Sequence, residues 1–351
     1  MAILALNALD TLFFRDGKPF SLGEETWADG IFPPPLSVLY GALRTAYLSE
    51  HIADLQSANS DDDPTKRLKV NYYAYLRSDG YYYPCPLDIV EKKERRDRNT
   101  PEYLMLKCVE KTKEHCSSLD CLNMTRLLQS QEPVEDAIGL IDEISLNEYL
   151  QNNSVPAKLC PTHEYLKEEP KIGIGRNDLT RSSDDGMLYR VGMKRLSQTN
   201  LVIGYSGFDL LGALMRLGGE GKAVSVSVPD QSPNIRKPEN ILGEYFKLYL
   251  ATPAIFKDGW RPASEKIPGA ELVTAVVGRP VYIGGFDMKP KNGKPPGPKS
   301  MRRAVPAGSV YYYRGSIEKA AGLHATSISD YGSEQGYGIV YIGKVNEDRS
   351  E

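Results

Sequence analysis

Apolar residues open the chain on both faces of residues 2–9 (AILALNAL), a pattern that predicts a buried strand. After Phe32-Pro33-Pro34-Pro35, Leu36, Leu39, Leu43 and Tyr47 recur at helical spacing and predict a helix over 36–51. Proline at its entry is tolerated because the first helical N–H groups have no internal partner. Residues 68–76 and 81–89 flank the turn signal Ser78-Asp79-Gly80 and predict a hairpin. Residues 171–196 predict a longer one: an apolar-glycine strand, a polar tip ending in Asp184-Asp185-Gly186, and an alternating return strand. A helix over 208–217, stopped by Gly218-Gly219, and a strand over 223–228 complete the series. Strand, helix, two strands, helix, strand is the βαββαβ order of a ferredoxin-like unit.

Residues 232–238 read as a linker, and the second half repeats the scheme less cleanly. Strands are expected at 245–250, 272–277, 281–284, 310–313 and 339–344, with a short helix at 316–321. Residues 91–165 are charged and irregular, with short helices expected near 119–130 and 145–151. The predicted class is α+β, with two ferredoxin-like (RRM-like) domains over 1–232 and 239–351. The first would carry an irregular insertion at about 91–165 and a protruding β-hairpin thumb at about 171–196.

Two domains suit a chain of 351 residues, and a formal net charge of −3 excludes a basic coat for nonspecific nucleic-acid binding. Local basic patches remain compatible with that charge. No apolar run reaches membrane-spanning length, and residues 2–9 are too short for a secretory leader. Five cysteines make an odd number with no even framework, so the expectation is a soluble protein of a reducing cytoplasm. Cys108, Cys116 and Cys121 beside His115 lack any Cys-x-x-Cys pair, and no metal or other cofactor is expected.

Candidate chemistry concentrates in a few places. On the return strand of the long hairpin, period two sends Met187, Tyr189, Val191 and Met193 to one face and Leu188, Arg190, Gly192 and Lys194 to the other. Arg176, Arg181 and Arg195 add further cations. Such a hairpin is either a solvated arm or a clamp that packs on bases and holds phosphates. Arg15 sits near the tip of the DTLFFRDGKPF loop. On the first helix, Ser37, Gly41 and Arg44 share a side: a hydroxyl near the N-terminus, a glycine that clears the backbone, and a guanidinium, which together suit a phosphodiester. The alternative is that Gly41-Ala42 permits close packing on a sheet. GGEGK is not a Walker phosphate loop, since no Ser or Thr follows Lys222 and a strand follows, but Lys222 can still approach a ligand.

From 286 to 314 there are seven Lys/Arg, Arg302 and Arg303 among them, against Asp287 alone. The proline and glycine there imply an extended loop, and the charge implies an electrostatic contact. Gly336, Tyr337 and Gly338 end a glycine-rich turn whose amides could form an anion nest, with Tyr337 stacking on a base.

Taken in order, DTLFFRDGKPF, FPPPLSVLYGALR, DGMLYR, LGGEGKAVSV, LATPAIFKDGW, GGFD with RRAVPAGSVYYY, and GYGIVYIG resemble the RAMP superfamily of CRISPR systems. Within it, the resemblance is to the family of the third subunit of the Cmr, type III-B, effector. It covers both ends and the middle, and fails across about 91–165. It implies a subunit that holds the 5′ repeat-derived tag of the CRISPR RNA and joins the backbone subunits to the large Palm-domain subunit. Target RNA would be met only indirectly. It also implies that the hairpin lies across the guide, and that Ser37, Gly41, Arg44, Gly336, Tyr337 and Gly338 contact RNA.

Three functions follow from these residues. A noncatalytic RNA-binding subunit needs cations along a path and a few stacking surfaces. Contact would come from loops and hairpins, because the first strand lacks the aromatics of ordinary RNA-recognition sheets. A RAMP endoribonuclease that processes precursor CRISPR RNA would use a general acid/base histidine; of the four histidines only His51 lies on a core motif, and nothing in the sequence pairs with it. A scaffold would instead meet an acidic protein through the basic loops.

Overall fold

The computed structural model describes residues 1–15, 27–93, 101–110, 124–127, 133–176, 180–238, 244–287 and 295–345. In chain order the principal elements begin with β1 (Ala2–Ala8), β2 (Trp27–Ala28), helix α1 (Leu36–Glu50), β3 (Lys69–Arg77) and β4 (Gly80–Pro84). Then come β5 (Leu140–Asp142), helix α2 (Glu143–Asn152), β6 (Leu166–Arg176), β7 (Ser183–Leu196), β8 (Asn200–Ser206), β9 (Leu214–Arg216) and β10 (Ala223–Ser227). The last are β11 (Tyr245–Leu250), β12 (Ala270–Val276), β13 (Val310–Gly315) and β14 (Ile339–Lys344). The class is mixed α/β, with mostly antiparallel sheets and few helices. None of the described helices is long and apolar enough to cross a membrane.

Contacts divide the chain into two compact units, each assembled from separate stretches. The first comprises Met1–Val70, His163–Asp230 and Tyr282–Arg303; the second comprises Asn71–Thr162, Gln231–Val281 and Ala304–Glu351. Contacts therefore group the chain differently from a single cut at the expected linker.

In the first unit β1 runs antiparallel between β8 and β10, with β9 beyond β10. Leu4 to Leu6 and Leu201 to Ile203 are buried without alternation, as expected for central strands covered on both faces. Helix α1 directs Leu36, Leu39, Ala42 and Leu43 inward and packs against β9.

The helix expected over 208–217 is absent. Backbone N–H groups of Leu211 and Gly212 donate to the Glu50 carboxylate at 3.0 and 2.8 Å, which removes them from any helical ladder. Leu214, Met215, Arg216 and Leu217 alternate between exposed and buried, and β9 pairs with β10. Period two and an open sheet edge outweighed the helical propensity of DLLGALMRL. The first βαββαβ series thus lacks its second helix.

In the second unit, β3, β4 and β5 pair around the expected turn, with Gly80 at φ 135°. A five-stranded antiparallel sheet runs β12, β13, β11, β14 and the short strand Thr326–Ser327. One face buries Phe246, Leu248, Leu250, Tyr311, Tyr313, Val340 and Ile342. The opposite face presents Lys247, Tyr249, Tyr312 and Tyr341, all buried, and α2 packs there against β14. Its core includes a buried polar network. Asp88, fully buried, accepts from the hydroxyls of Tyr149 (2.8 Å to each oxygen) and Tyr312. Lys247 lies 3.3 Å from the centroid of the Tyr149 ring and donates to Asn153 at 2.8 Å.

Helix α2 lies inside the stretch read as an insertion, yet Leu146, Tyr149 and Leu150 are wholly buried. Its N-terminus is capped by Asp142, which accepts from the Ser145 N–H at 2.9 Å. The helix expected near 119–130 is instead, over its described part, a strand at Met124–Leu127 paired with Lys107–Glu110. His115, Cys116 and Cys121 lie outside the described residues.

Candidate nucleic-acid interface

Strands β6 and β7 form an antiparallel ribbon of eleven and fourteen residues with register Lys171↔Val191, Ile172↔Arg190 and Gly173↔Tyr189. Arg176 pairs with Ser183, so Asp184-Asp185-Gly186 lies within β7 and the turn falls earlier. Arg181, near that turn, is exposed with a left-handed φ of 56°. The side chains of Arg176, Met187 and Leu188 lie outside the described residues.

The two ends of the ribbon differ. Near its base, Val191 (4% exposed) and Met193 (1%) pack on Phe13, with Ala28 and Tyr189 against them. Leu12 exchanges two backbone hydrogen bonds with Lys194, and β2 runs parallel beside β7. The face expected to pack on bases is therefore sealed at Val191 and Met193 by the protein's own N-terminal loop. Tyr189 stays half-buried because its ring crosses Gly173, where a Cβ would sit 2.2 Å from Cζ. On the other face, Lys194 is buried and ion-paired with Glu168, so it is not placed to hold a phosphate. Farther out, Ile172 and Ile174 are 67% and 54% exposed, and Arg190 sits opposite Ile172 on the same face. Two exposed aliphatic side chains thus flank a guanidinium on one face of the outer ribbon.

Arg195 and Lys222, far apart in sequence, converge on Asp10. Lys222 reaches Asp10 Oδ2 at 2.5 Å, and Arg195 contacts Asp10 Oδ1 at 3.1 Å while also gripping Glu169. The hydrogen bond from Lys222 leads the causes that pull the Asp10 carboxyl down to about 2. Two cations face two carboxylates, so this cluster is close to neutral.

On α1, Ser37 and Gly41 are half-buried, and a Cβ built on Gly41 meets nothing within 4 Å. Close packing thus does not account for the glycine; the helix surface there is open. Arg44 is tethered from the 59–65 segment, reaching Asp63 at 2.7 Å, Thr65 at 2.7 Å and Asn59 at 3.2 Å. Asp63 is depressed below its ordinary value: burial acts against this, but hydrogen bonds from Thr65 and Asn59, together with the Arg44 charge, outweigh it. Arg15 is exposed and bridges to Gly30. Arg302 and Arg303 are exposed and belong to the same compact unit as the ribbon and α1, although more than a hundred residues separate them from the ribbon. Lys289, Lys291 and Lys294 lie outside the described residues.

The glycine-rich turn is not an open nest. The N–H groups of Gly336, Tyr337 and Gly338 donate to Ser333, Gly332 and Pro253 carbonyls at 3.2, 3.3 and 2.8 Å. The Tyr337 ring is 1% exposed and lies against Gly332, where a Cβ would come within 2.7 Å of it. Gly338, at φ 77°, presses on Ser329. The small residues serve a buried turn, and neither the amides nor the ring is presented to a ligand. Sequence spacing alone could not distinguish a turn whose amides face outward from one whose amides face inward.

His51 ends α1, stacked on Tyr47 at 4.2 Å, with its Nδ1–H donating to the Tyr47 carbonyl at 3.0 Å. The Tyr47 hydroxyl is engaged with Asp54. His51 Nδ1 and the Tyr47 hydroxyl are thereby engaged at the end of α1. Among the described residues no group of three or more His, Cys, Asp and Glu could hold a metal ion.

The described residues thus combine a ribbon exposed over its outer half, an open helix face and several exposed arginines. The chain belongs to the Cas_Cmr3 family of CRISPR-associated proteins, whose model matches residues 4–345, and it is thus a Cmr3-like member of the RAMP superfamily, as its motifs led one to expect. Its fold is similar to that of a chain in a type III-B Cmr-beta complex bound to cognate target RNA, with TM-score 0.51, 16% identity and coverage of 88% of this chain and 86% of that one. A chain of the Csm3–Csm4 subcomplex of a type III-A CRISPR-Cas interference complex aligns over 90% of this chain and 94% of its own, with 12% identity and TM-score 0.36. No curated protein sequence matches the chain.

Proposed function

We propose that the chain is a noncatalytic RNA-binding subunit of a type III-B CRISPR effector. It holds the 5′ repeat-derived tag of the CRISPR RNA and links the backbone subunits to the large Palm-domain subunit. The observation that carries this reading is the outer half of the ribbon. The exposed Ile172 and Ile174 share a face with the half-buried Arg190, in the same compact unit as the open Gly41 surface and the exposed Arg302 and Arg303. A strand gripped this way meets side chains and a helix backbone without base-specific readout, which suits a tag of constant sequence.

Arg15, Ser37, Gly41, Arg44, Arg181, Arg190, Arg302 and Arg303 are the contacts retained. Arg195 and Lys222 join them only if the strand displaces Asp10. The two ferredoxin-like halves belong to the same reading, the first with strand β9 where the second helix would stand. The test is crosslinking of the assembled complex with its CRISPR RNA and mapping of the adducts. Adducts on 172–190, α1 and 295–303 are expected; adducts confined to 91–165 would overturn the assignment.

A further inference from the structure

The second unit carries a cleft of about 550 Å³ whose wall is the segment expected to be a linker. That segment is held rigidly. The Asn234 N–H donates to Glu143 at 2.9 Å, and the Asn147 amide group donates to the Asn234 carbonyl at 3.0 Å. The same amide group accepts from the Arg236 N–H at 2.8 Å, while Gln151 donates to the Arg236 carbonyl at 2.9 Å. On the far side the His324 Nε2–H donates to the Ile235 carbonyl at 3.0 Å, and its Nδ1 accepts from the Ile342 N–H at 3.4 Å. Both ring nitrogens are thus committed, in the neutral form, to fixing backbone.

Every backbone constraint on 234–236 leaves the side chains of Arg236 and Lys237 exposed at the cleft, and Lys344 at the end of β14 joins them. None of the lining residues is acidic. Neither Arg236, Lys237 nor Lys344 forms an ion pair among the described residues. Three cations around one concavity repel each other, and a fold that pins the backbone carrying two of them holds that repulsion in place. An anion relieves it. The volume lies within the range of small-ligand sites and accommodates one nucleotide.

We propose that this cleft is a binding site for a nucleotide phosphate, with Arg236, Lys237 and Lys344 contacting the anion and Gln151 at its margin. The site stands on the second unit's own geometry and does not depend on the ribbon being an RNA grip. The phosphate could come from a free nucleotide or from one residue of a strand, and the experiment separates the two.

The full-length chain is titrated by calorimetry with UMP and with the octaribonucleotide U8. The variants are Arg236→Ala/Lys237→Ala/Lys344→Ala and, as a charge-matched control from exposed positions outside the cleft, Lys158→Ala/Lys257→Ala/Arg279→Ala. Arg236 and Lys237 are exposed and Lys344 is half-buried at the end of β14, so the test variant's thermal midpoint should stay close to the control's. Three solvent-accessible ion contacts correspond to a loss of about tenfold in affinity. If UMP affinity falls so in the test variant and not in the control, a free nucleotide suffices. If only U8 affinity falls, the phosphate belongs to a strand. Either result upholds the site. Equal affinity of test variant and wild type for both probes, absence of binding by both probes at millimolar concentration, or binding of octaglutamate as tight as that of U8 would overturn it.

Discussion

Replacing Gly41 by alanine should move stability and RNA binding in opposite directions. Gly41 is the sixth residue of a fifteen-residue helix, and an interior glycine costs a helix roughly 1 kcal/mol relative to alanine. That gain is normally offset where the glycine admits a neighbour, but here an added Cβ meets nothing within 4 Å, so no steric loss opposes it. The chain should gain about 1 kcal/mol, read as a rise of roughly 2–4 °C in Tm for a unit of this size. If the tag's backbone lies against the bare helix at Gly41, the methyl group pushes it off the surface. A tenfold weaker Kd corresponds to about 1.4 kcal/mol, the size expected for one lost close contact. The assay pairs a thermal melt of the subunit with equilibrium binding of tag-containing CRISPR RNA by the reconstituted complex; Gly41→Leu should deepen the binding loss. Two results would refute the reasoning: destabilisation by Gly41→Ala, which would mean the surface is not open, or a stabilised variant that binds RNA as tightly as wild type.

Other expectations follow from the same geometry. Arg190→Ala should reduce the slope of log K against log salt by about 0.7, one phosphate contact on single-stranded RNA, whereas Lys194→Ala should leave the slope unchanged and lower the melting temperature, because Lys194 is buried against Glu168. A reduced slope for Lys194→Ala would return it to the RNA path. Asp88→Ala should destabilise the chain by about 3 kcal/mol in urea unfolding, since it strands the buried hydroxyls of Tyr149 and Tyr312; a loss within experimental error would mean that water replaces the carboxylate. Asp10 is depressed to about 2, so its ion pairs contribute fully above the unfolded value near 3.9 and are lost as pH falls through about 2. The Tm difference between wild type and Asp10→Asn should be constant above about pH 4 and shrink towards pH 2. A difference that vanishes already at pH 5 would show that Lys222 and Arg195 do not hold Asp10 in solution.

Local pattern carried much of the fold. The strand at 2–9, the helix after the proline run, the hairpin around Gly80, the long ribbon and the strands after residue 245 were legible, because each has a period that burial of one face enforces. Pattern misled where a partner distant in sequence decided the outcome. Residues 208–217 hold helix-forming leucines, but Glu50 and the edge of β10 claimed their backbone groups. The helix near 145–151 was legible from the spacing of Leu146, Tyr149 and Leu150, but its place in the core was not, since the charge around them hid what they cover.

The candidate interface divides in the same way. Sequence by itself determined the family, the ribbon, the cationic residues available and the glycine at position 41; these are properties of residue type and spacing. Only tertiary structure decided which of them face outward. Lys194, Val191, Met193 and Tyr337 were plausible ligand contacts on paper and are buried in the folded chain. Arg236, Lys237 and Lys344, unremarkable along the sequence, meet at one cleft because α2 and His324 pin the backbone between them. Alternation assigns a residue to a face, whereas the exposure of that face depends on what the rest of the chain packs against it.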